Sequence, residues 1–164
     1  MKLSTRARYA LRAMAALARL SDGNKPVCLE RIARETGISK RYLEQLALAL
    51  KSAALIEGVS GRQGGYRLGR PARGIRLTEI VEAGIGPINV VKCVRIPQTC
   101  QQADACACRL VYATINQSVR QALNKTTLAD MIDPAWMEKT RRSMTRQLAD
   151  DALPDGRPRE GRKA

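Results

Sequence analysis

Aromatic side chains are scarce in this sequence, and the scarcity limits how a core can be built. The 164 residues include no Phe, one Trp and four Tyr, although 45% of them are hydrophobic. A core must therefore be filled mainly with aliphatic side chains. Ala, Leu and Arg recur throughout the chain, and all three favour helices. The hydrophobic fraction is large enough to offset the entropy lost on ordering the chain, so we predict a mainly α-helical protein.

The chain is strongly basic, and the charge is unevenly distributed. Its 29 Lys and Arg against 15 Asp and Glu give a formal net charge of +14. Residues 1–80 hold 16 basic and 6 acidic side chains, whereas residues 81–136 hold 5 and 4. This imbalance predicts a polyanionic partner for the first half. The sequence has no His, which excludes imidazole acid–base catalysis and HExxH zinc sites, so we do not expect an enzyme.

No targeting segment is expected. The apolar stretch near the start is interrupted by Arg6, Arg8, Arg12 and Arg19, so it matches neither a signal peptide nor a membrane span of about 20 residues. These features predict a cytoplasmic protein, whose thiols are normally kept reduced. Its five Cys are therefore expected to be free, metal-bound or redox-sensing rather than a set of structural disulfides.

Capping residues and apolar periodicity predict three helices in the first half, over residues 5–20, 29–36 and 40–54. Gly37 ends the second helix in a left-handed conformation, and Ser39 caps the third. Two helices joined by a short turn that contains Gly are typical of a helix-turn-helix unit, although an ordinary helical hairpin is the alternative. The side chains expected on the inward faces are Ala10, Met14, Leu17, Leu43, Leu46, Ala47 and Leu50.

A glycine-rich segment follows the third helix. Short strands are predicted over residues 55–60 and 66–68, around the sequence GRQGG at 61–65. Such a tip brings the backbone close to a phosphate or into the minor groove, whose negative potential suits Arg62. A plain surface turn is the alternative, but a basic hairpin directly after a helix-turn-helix predicts a winged helix. Further positive charges, each suited to pairing with a phosphate group, come from Arg67, Arg70, Arg73 and Arg76.

Four cysteines lie in the near-neutral middle of the chain. Cys93, Cys100, Cys106 and Cys108 form the pattern C-x6-C-x5-C-x-C in a stretch without clear periodicity. Iron–sulfur clusters are usually held by four such thiolates. Zinc also accepts four thiolates, although its usual C-x₂₋₄-C pairs are absent, and a reversible disulfide needs only two. All three interpretations stay open on spacing alone, and Cys28 is predicted to be a small buried apolar residue.

A long helix is predicted after the cysteines, over residues 110–124. An apolar face formed by Val111, Ile115, Val119 and Ala122 or Leu123 can pack on its own domain or pair with a second copy. Thr127 is expected to cap a short helix over 128–132, and Pro134 to begin another that reaches about residue 148. The remaining residues, 149–164, lack apolar periodicity and are predicted to be a disordered basic tail.

These features together resemble the bacterial iron–sulfur winged-helix transcription regulators of the IscR and NsrR type. The resemblance covers about residues 1–132, and it is carried by the cysteine loop and by MKLSTRARYALRAM at 1–14, ISKRYLEQL at 38–46, GRQGGYRLGRP at 61–71 and TLAD at 127–130. It implies a homodimer with a long helix that crosses to the partner. It also implies an iron–sulfur cluster, [2Fe–2S] with [4Fe–4S] as the alternative, that controls binding to a pseudo-palindromic DNA operator.

The resemblance assigns roles by position. Cys93, Cys100 and Cys106 match the family's three cysteine ligands, and Glu44 and Gln45 match base-reading residues. The set expected to contact DNA is Ser39, Lys40, Arg41, Glu44, Gln45, Ser60, Arg62, Gln63, Gly64 and Gly65.

Three positions depart from the family pattern. Ser60 stands where the wing arginine is expected, so Arg62 would take that role. Arg109 stands at the histidine ligand of the IscR type, and Arg8 at the acidic ligand of the NsrR type. A guanidinium stays protonated and does not ligate iron, which leaves Cys108 as the candidate fourth ligand.

We therefore expect a mainly α-helical fold with a small β-hairpin wing. Residues 1–80 would form the winged helix-turn-helix domain, 81–109 a connector and cluster loop, 110–148 the dimerisation helix and C-terminal helices, and 149–164 a tail. The expected function is DNA-binding transcription regulation modulated by an iron–sulfur cluster. The alternatives are a winged-helix regulator that uses zinc or a thiol switch, and a protein that carries iron–sulfur clusters.

Overall fold

The computed structural model describes residues 3–22 and 25–152. Contacts divide the chain into two compact units, residues 1–132 and 133–164. The first unit contains seven α-helices within its described residues: α1 Thr5–Leu20, α2 Leu29–Thr36, α3 Lys40–Ser52, α4 Leu77–Ile85, α5 Lys92–Arg95, α6 Ala107–Lys125 and α7 Leu128–Ile132. In the second unit the described residues form α8, Pro134–Ala152. None of the described helices has the length and apolar character needed to cross a membrane.

The first three helices begin at the predicted residues and end within two residues of the predicted ends. The Ser4 hydroxyl accepts a hydrogen bond from the Ala7 N–H at 3.2 Å, and the Ser39 hydroxyl accepts one from the Tyr42 N–H at 3.3 Å. Each bond satisfies one of the N–H groups left free at a helix start. Gly37 follows α2 with a φ of 68°, the left-handed conformation that glycine adopts without strain.

A two-stranded antiparallel hairpin follows α3. Strands β1 (Ile56–Val59) and β2 (Gly65–Leu68) pair with Ile56 opposite Leu68. Tyr66 also exchanges two backbone hydrogen bonds with Val27, at 2.8 and 2.9 Å, so the segment before α2 pairs with the outer edge of β2. Gly65 is required at this crossing: its φ is 152°, and a Cβ there would lie 2.4 Å from the Val27 carbonyl oxygen. The prediction of a mainly helical protein with a small hairpin wing is confirmed.

The core is aliphatic, as the composition predicts. Met14, Leu46, Leu55, Ile75, Ile80 and Leu128 are at most 1% exposed, and the predicted inward faces of α1 and α3 are buried. The aromatic contribution is small: the rings of Tyr9 and Tyr42 meet edge to face, with centroids 5.4 Å apart. Arg12 lies over the Tyr9 ring and donates a hydrogen bond to the Thr36 carbonyl, which ties α1 to the end of α2.

Helices α4 and α7 complete the winged domain on the side of α1. Gly84 in α4 would place a Cβ 3.5 Å from that of Ala10, so small side chains allow the two helices to approach closely. The Leu128 N–H donates to the Ile75 carbonyl at 2.8 Å, and the Leu77 N–H donates to the Thr126 carbonyl at 3.0 Å. These bonds fix α7 and the end of α6 to the segment that precedes α4.

Three sequence predictions need revision. α6 begins at Ala107 rather than near residue 110, so Cys106 is its N-cap and Cys108 lies inside the helix. Cys28 is exposed rather than buried, because it is the N-cap of α2 and lies at the helix end instead of on the inward face. α8 continues to Ala152 rather than ending near residue 148, and the rest of the predicted tail, residues 153–164, lies outside the described part of the chain.

The start of α7 makes the stability of the domain sensitive to acid. The Asp130 carboxylate accepts hydrogen bonds from the backbone N–H and the hydroxyl of Thr127, at 2.8 and 2.7 Å. These bonds, the backbone one foremost, hold the pKa of Asp130 below its ordinary value of 3.8. A lowered pKa in the folded state stabilises the protein above the unfolded pKa, and that contribution is lost as the pH falls through the folded pKa.

Asp130→Asn is therefore expected to lower the free energy of unfolding at pH 7 and to matter progressively less below about pH 4. Urea titrations at several pH values between 7 and 3 measure the difference from the unchanged protein. Asp104→Asn, which alters an exposed acidic residue of the cysteine loop, serves as the control. A difference that stayed constant down to pH 3 would contradict a role for the ionised carboxylate.

Candidate DNA interface and cysteine loop

The outward side of α3 carries the side chains predicted to contact DNA. Its apolar stripe packs inward, and this leaves Ser39, Lys40, Arg41, Glu44 and Gln45 exposed. Ser39 is the N-cap of the helix, so the other four residues occupy its first two turns. In a helix-turn-helix unit, this part of the second helix faces the base edges.

An ion-pair chain organises the start of α3. The Lys40 ammonium lies 2.5 Å from a Glu30 carboxylate oxygen on α2 and 4.0 Å from one of Glu44. The Glu30 hydrogen bond and charge raise the pKa of Lys40, and the Lys40 hydrogen bond lowers the pKa of Glu30. Lys40 is therefore held between two carboxylates. Arg41 and Gln45 make neither of these contacts and stay exposed.

The tip of the hairpin presents Ser60, Arg62 and Gln63 to solvent. The Gly64 N–H closes the turn on the Gly61 carbonyl at 2.9 Å. A Cβ at Gly64 would lie 2.3 Å from the Val59 carbonyl oxygen, so the turn admits only glycine there. The result is a narrow, basic tip with a closely folded backbone, suited to insertion into a groove.

Two of the arginines that follow the wing tip pair with acidic side chains of the same chain. Arg67 donates two hydrogen bonds to the Glu57 carboxylate on the opposite strand, at 3.0 and 3.1 Å. Arg70 pairs with Glu79 on α4. Burial opposes ionisation of Glu79, but hydrogen bonds from the Arg76 backbone and from Arg70 outweigh it and lower its pKa. The hairpin register sets positions 57 and 67 opposite each other. An acidic residue on one predicted strand and a basic residue on the other were the only signal of this ion pair in the sequence.

The cysteines lie on an irregular segment between α4 and α6. Cys93 is in the four-residue helix α5, Cys100 follows a single 3₁₀ turn (Pro97–Thr99), and Cys106 caps α6. Cys93 and Cys106 are half-buried, Cys100 and Cys108 are exposed, and all four thiols are free of disulfides. Residues 3–22 and 25–152 contain no group of three His, Cys, Asp or Glu side chains that could hold a metal ion.

Arg109 joins the two ends of this segment. Its Nε donates to the Cys93 carbonyl at 3.0 Å, and one terminal nitrogen donates to the Ala103 carbonyl at 3.3 Å. The sequence identified Arg109 only as a departure from the histidine ligand of the IscR type. Its role in folding the loop depends on contacts that spacing does not reveal.

A connector joins the loop to the winged domain. The Ile88 N–H donates to the Glu82 carboxylate at 3.2 Å, and the Val90 N–H donates to the Asn116 side-chain oxygen at 3.2 Å. Ile88 packs with Ala7 of α1 and Val81 of α4 in a small second cluster, against Val119 and Leu123 of α6. The roles of Glu82 and Asn116 could not be predicted from the sequence, because their partners are backbone groups of an irregular segment.

The predicted apolar face of α6 is divided between two surroundings. Val119 and Leu123 pack on the second cluster within the domain. Leu110, Val111 and Ile115 instead face solvent, with exposed fractions of 70%, 58% and 41%. No residue of this 19-residue helix is fully buried. An exposed apolar stripe on a long helix is typical of a protein–protein contact.

Comparisons with known proteins agree with this architecture. The sequence pattern of the Rrf2 family, described as iron-dependent transcriptional regulators, matches residues 3–134. The chain is 33% identical to the HTH-type transcriptional regulator IscR of Sodalis glossinidius over 98% of this chain and 95% of the relative.

Two solved structures have similar folds. The IscR of T. potens is 33% identical, with a TM-score of 0.66 over 82% of this chain and 88% of that one. The B. subtilis global cysteine regulator CymR is also 33% identical, with a TM-score of 0.66 over 80% of this chain and 96% of that one. With most of its length matched by the family pattern and by full-length relatives, this chain belongs to the Rrf2 family of transcriptional regulators.

Proposed function

We propose that this regulator is a homodimer whose operator binding is modulated by an iron–sulfur cluster held in the cysteine loop. The observation that carries the proposal is the joining of a winged domain to a loop with four uncrosslinked thiols. DNA-binding regulation follows from the family, whereas the cluster, its ligands and the dimer are the proposed parts. Reduced thiols also agree with a cytoplasmic location.

The donor set fits an iron–sulfur cluster in its chemistry. Cys93, Cys100 and Cys106 supply three soft thiolate ligands, and we propose Cys108 as the fourth. Cys108 is the second residue of α6 and Cys106 is its cap. Since successive helical residues are rotated by about 100°, the two side chains start roughly on opposite sides of the helix. Ligation by both would therefore require the first turn of α6 to rearrange. When bound, the cluster supplies a redox-active group that oxygen, nitric oxide or iron supply can change.

Cys108→Ser tests the fourth position separately from the others. If Cys108 ligates, the protein is expected to keep part of its iron while its visible absorption and reduction potential change, because one thiolate is replaced. Iron analysis, visible spectroscopy and a redox titration under anaerobic conditions measure these three quantities. Iron content and a spectrum identical to those of the unchanged protein would remove Cys108 from the ligand set.

The connector is the proposed route from loop to DNA. Ordering or loosening the loop would act on the segment held by Glu82 and Asn116, and through Ile88 on the cluster shared by α1, α4 and α6. A change in this packing biases the relative placement of the two recognition helices in a dimer. Twofold symmetry then predicts half-sites about 34 Å apart, or a multiple of that distance.

The wing offers a direct test of DNA contact. Arg62→Ala is expected to weaken operator binding severalfold and to reduce the slope of log affinity against log salt by about 1, since one phosphate-neutralising charge is lost. Binding titrations at several salt concentrations measure the slope. An unchanged slope and affinity would remove Arg62 from the interface.

Gln45→Ala is the contrasting variant for the same titrations. Gln45 lies on the exposed side of α3 and carries no charge, so its loss should leave the salt slope unchanged. It should narrow the difference in affinity between operator and random duplex by about 1–3 kcal/mol if the side chain reads a base. An equal loss of affinity for both duplexes would contradict base reading.

A thiol switch is the second candidate, because the chain is as similar to CymR, a cysteine regulator, as it is to IscR. Exposed thiols at Cys100 and Cys108 would allow reversible disulfide formation without a metal. Zinc bound to the same thiolates is the remaining alternative.

Anaerobic purification distinguishes these candidates. We expect the purified protein to contain iron and sulfide and to absorb visible light. On a DNA duplex selected from random sequence, we expect the cluster-loaded and metal-free forms to give different footprints. Colourless protein without iron would overturn the cluster, and metal analysis would then separate zinc from free thiols. Identical footprints would overturn modulation while leaving cluster binding intact.

A further inference from the structure

Arg109 occupies the centre of the cysteine loop. It lies in the first turn of α6 and is half-buried, although it is a charged residue beside exposed neighbours. Its side chain reaches the carbonyls of Cys93 and Ala103, and its backbone N–H donates to the Cys106 carbonyl at 3.1 Å. One residue therefore contacts the backbone of two proposed ligands and a third point between them.

The two carbonyls belong to different limbs of the loop. Cys93 is in α5, 16 residues before Arg109. Ala103 is 6% exposed, and its N–H donates to the Cys100 carbonyl at 3.2 Å, so it anchors the turn that carries Cys100. By binding both carbonyls, the guanidinium holds helix α5, which carries Cys93, and the turn that carries Cys100 against the start of α6, whose N-cap is Cys106.

Arginine is suited to this task for a chemical reason. The guanidinium presents five N–H donors in a planar fork, so it can serve two carbonyls in different directions, and it stays protonated in proteins. A lysine ammonium carries the same charge on a flexible stem without that fixed fork. Holding two carbonyls that lie in different directions therefore requires the planar fork of arginine. The positive charge alone would be supplied equally well by lysine.

We propose that Arg109 is a positioning residue that keeps the cysteine loop folded against α6 before any cofactor is bound. The position that the family resemblance gives to a ligand would then serve to organise the loop instead. The retained positive charge would also offset part of the negative charge of a thiolate-bound cluster. The second consequence rests on the proposed function, whereas the folding of the metal-free loop does not.

Full-length, reduced and metal-free protein tests the inference by amide hydrogen exchange over residues 92–109. Arg109→Gln, which keeps a polar side chain but loses charge and fork, is expected to speed exchange about tenfold, the change that corresponds to about 1.4 kcal/mol. Arg95→Gln makes the same charge change at an exposed residue of α5 and should alter exchange less than about twofold. Circular dichroism verifies that the variants are folded.

Arg109→Lys separates the fork from the charge. It should leave exchange closer to that of the glutamine variant than to that of the unchanged protein. Full restoration by lysine would overturn the role of the fork, and unchanged exchange in Arg109→Gln would overturn the positioning role altogether.

Alkylation provides a second readout in the same metal-free protein. The rates at Cys93 and Cys106, measured relative to exposed Cys28, should rise in Arg109→Gln but not in Arg95→Gln. Equal relative rates in all proteins would count against the inference. Because these measurements need no iron, a failed cluster and a failed positioning role are distinguishable: the first appears as missing iron in the unchanged protein, the second as unchanged loop exchange.

In anaerobically loaded protein, Arg109→Gln should also release iron to a chelator severalfold faster than Arg95→Gln. Equal release rates would restrict the positioning role to the metal-free loop and overturn its extension to the cluster.

Discussion

Cys106→Ser is expected to abolish stable iron binding. Cys106 is half-buried at the N-cap of α6, and its carbonyl accepts the Arg109 N–H, so its backbone is fixed at the start of that helix. A serine hydroxyl does not replace a soft thiolate as an iron ligand. Loss of a residue that merely supports a ligand lowers metal affinity by about 10–100-fold, so we expect loss of this ligand to lower iron affinity by at least about tenfold and to leave little bound iron.

Iron, sulfide and visible absorption per protein after anaerobic purification measure this effect. Cys28→Ser is the matched control, since it removes an exposed thiol outside the loop, at the cap of α2, and should leave iron unchanged. Wild-type iron content in Cys106→Ser would sink the proposed ligand set. Equal iron loss in both variants would point to a general loss of folding, which circular dichroism detects.

Local signals explain why the winged domain follows so closely from the sequence. Ser4, Ser39 and Gly37 act within one turn of their own helix, and the apolar stripes of α1 and α3 repeat at helical spacing. Such features do not depend on distant parts of the chain. The glycines of the wing likewise mark a turn that side chains would block. The bounds of α1, α2 and α3, to within two residues, and the position of the hairpin could therefore be predicted without a structure.

Tertiary contacts account for the parts that were missed. Arg67 is a basic residue beside the wing and is therefore expected near DNA, yet it pairs with Glu57 because the hairpin register sets the two residues opposite each other. Cys28 is apolar, yet its cap position leaves it exposed. α5 is a single turn of four residues, which is too short to show periodicity.

The cysteine loop differs from the winged domain in how its shape is specified. Spacing identified the thiols, but the backbone between them depends on Arg109, and the connector before them is held by Glu82 and Asn116. The partners of these side chains are backbone groups between 6 and 26 residues away. The proposed metal site would also take its final geometry from the metal, because metal binding and folding are coupled. The sequence therefore identifies candidate donors, whereas their arrangement depends on contacts that it does not reveal.

Ile115→Glu is expected to separate the proposed dimer into monomers. Ile115 lies in the exposed apolar stripe of α6 with Leu110 and Val111. Because both subunits contribute the same surface to a twofold interface, the interface would contain the substitution twice. A carboxylate without a partner in an apolar contact costs several kcal/mol, and each 1.4 kcal/mol is a factor of ten. We therefore expect the dimer to dissociate at least about a hundredfold more readily.

Analytical ultracentrifugation over a range of concentrations measures this change. Operator affinity should fall with it by about 10²–10⁴, because the two winged domains would no longer be linked and would bind their half-sites independently. Gln117→Glu is the matched control: it adds the same charge at an exposed position of the same helix, outside the apolar stripe, and should leave the dimer intact. A dimer of unchanged strength in Ile115→Glu would exclude this stripe of α6 as the interface, and the two DNA-binding domains would then have to be joined through another surface.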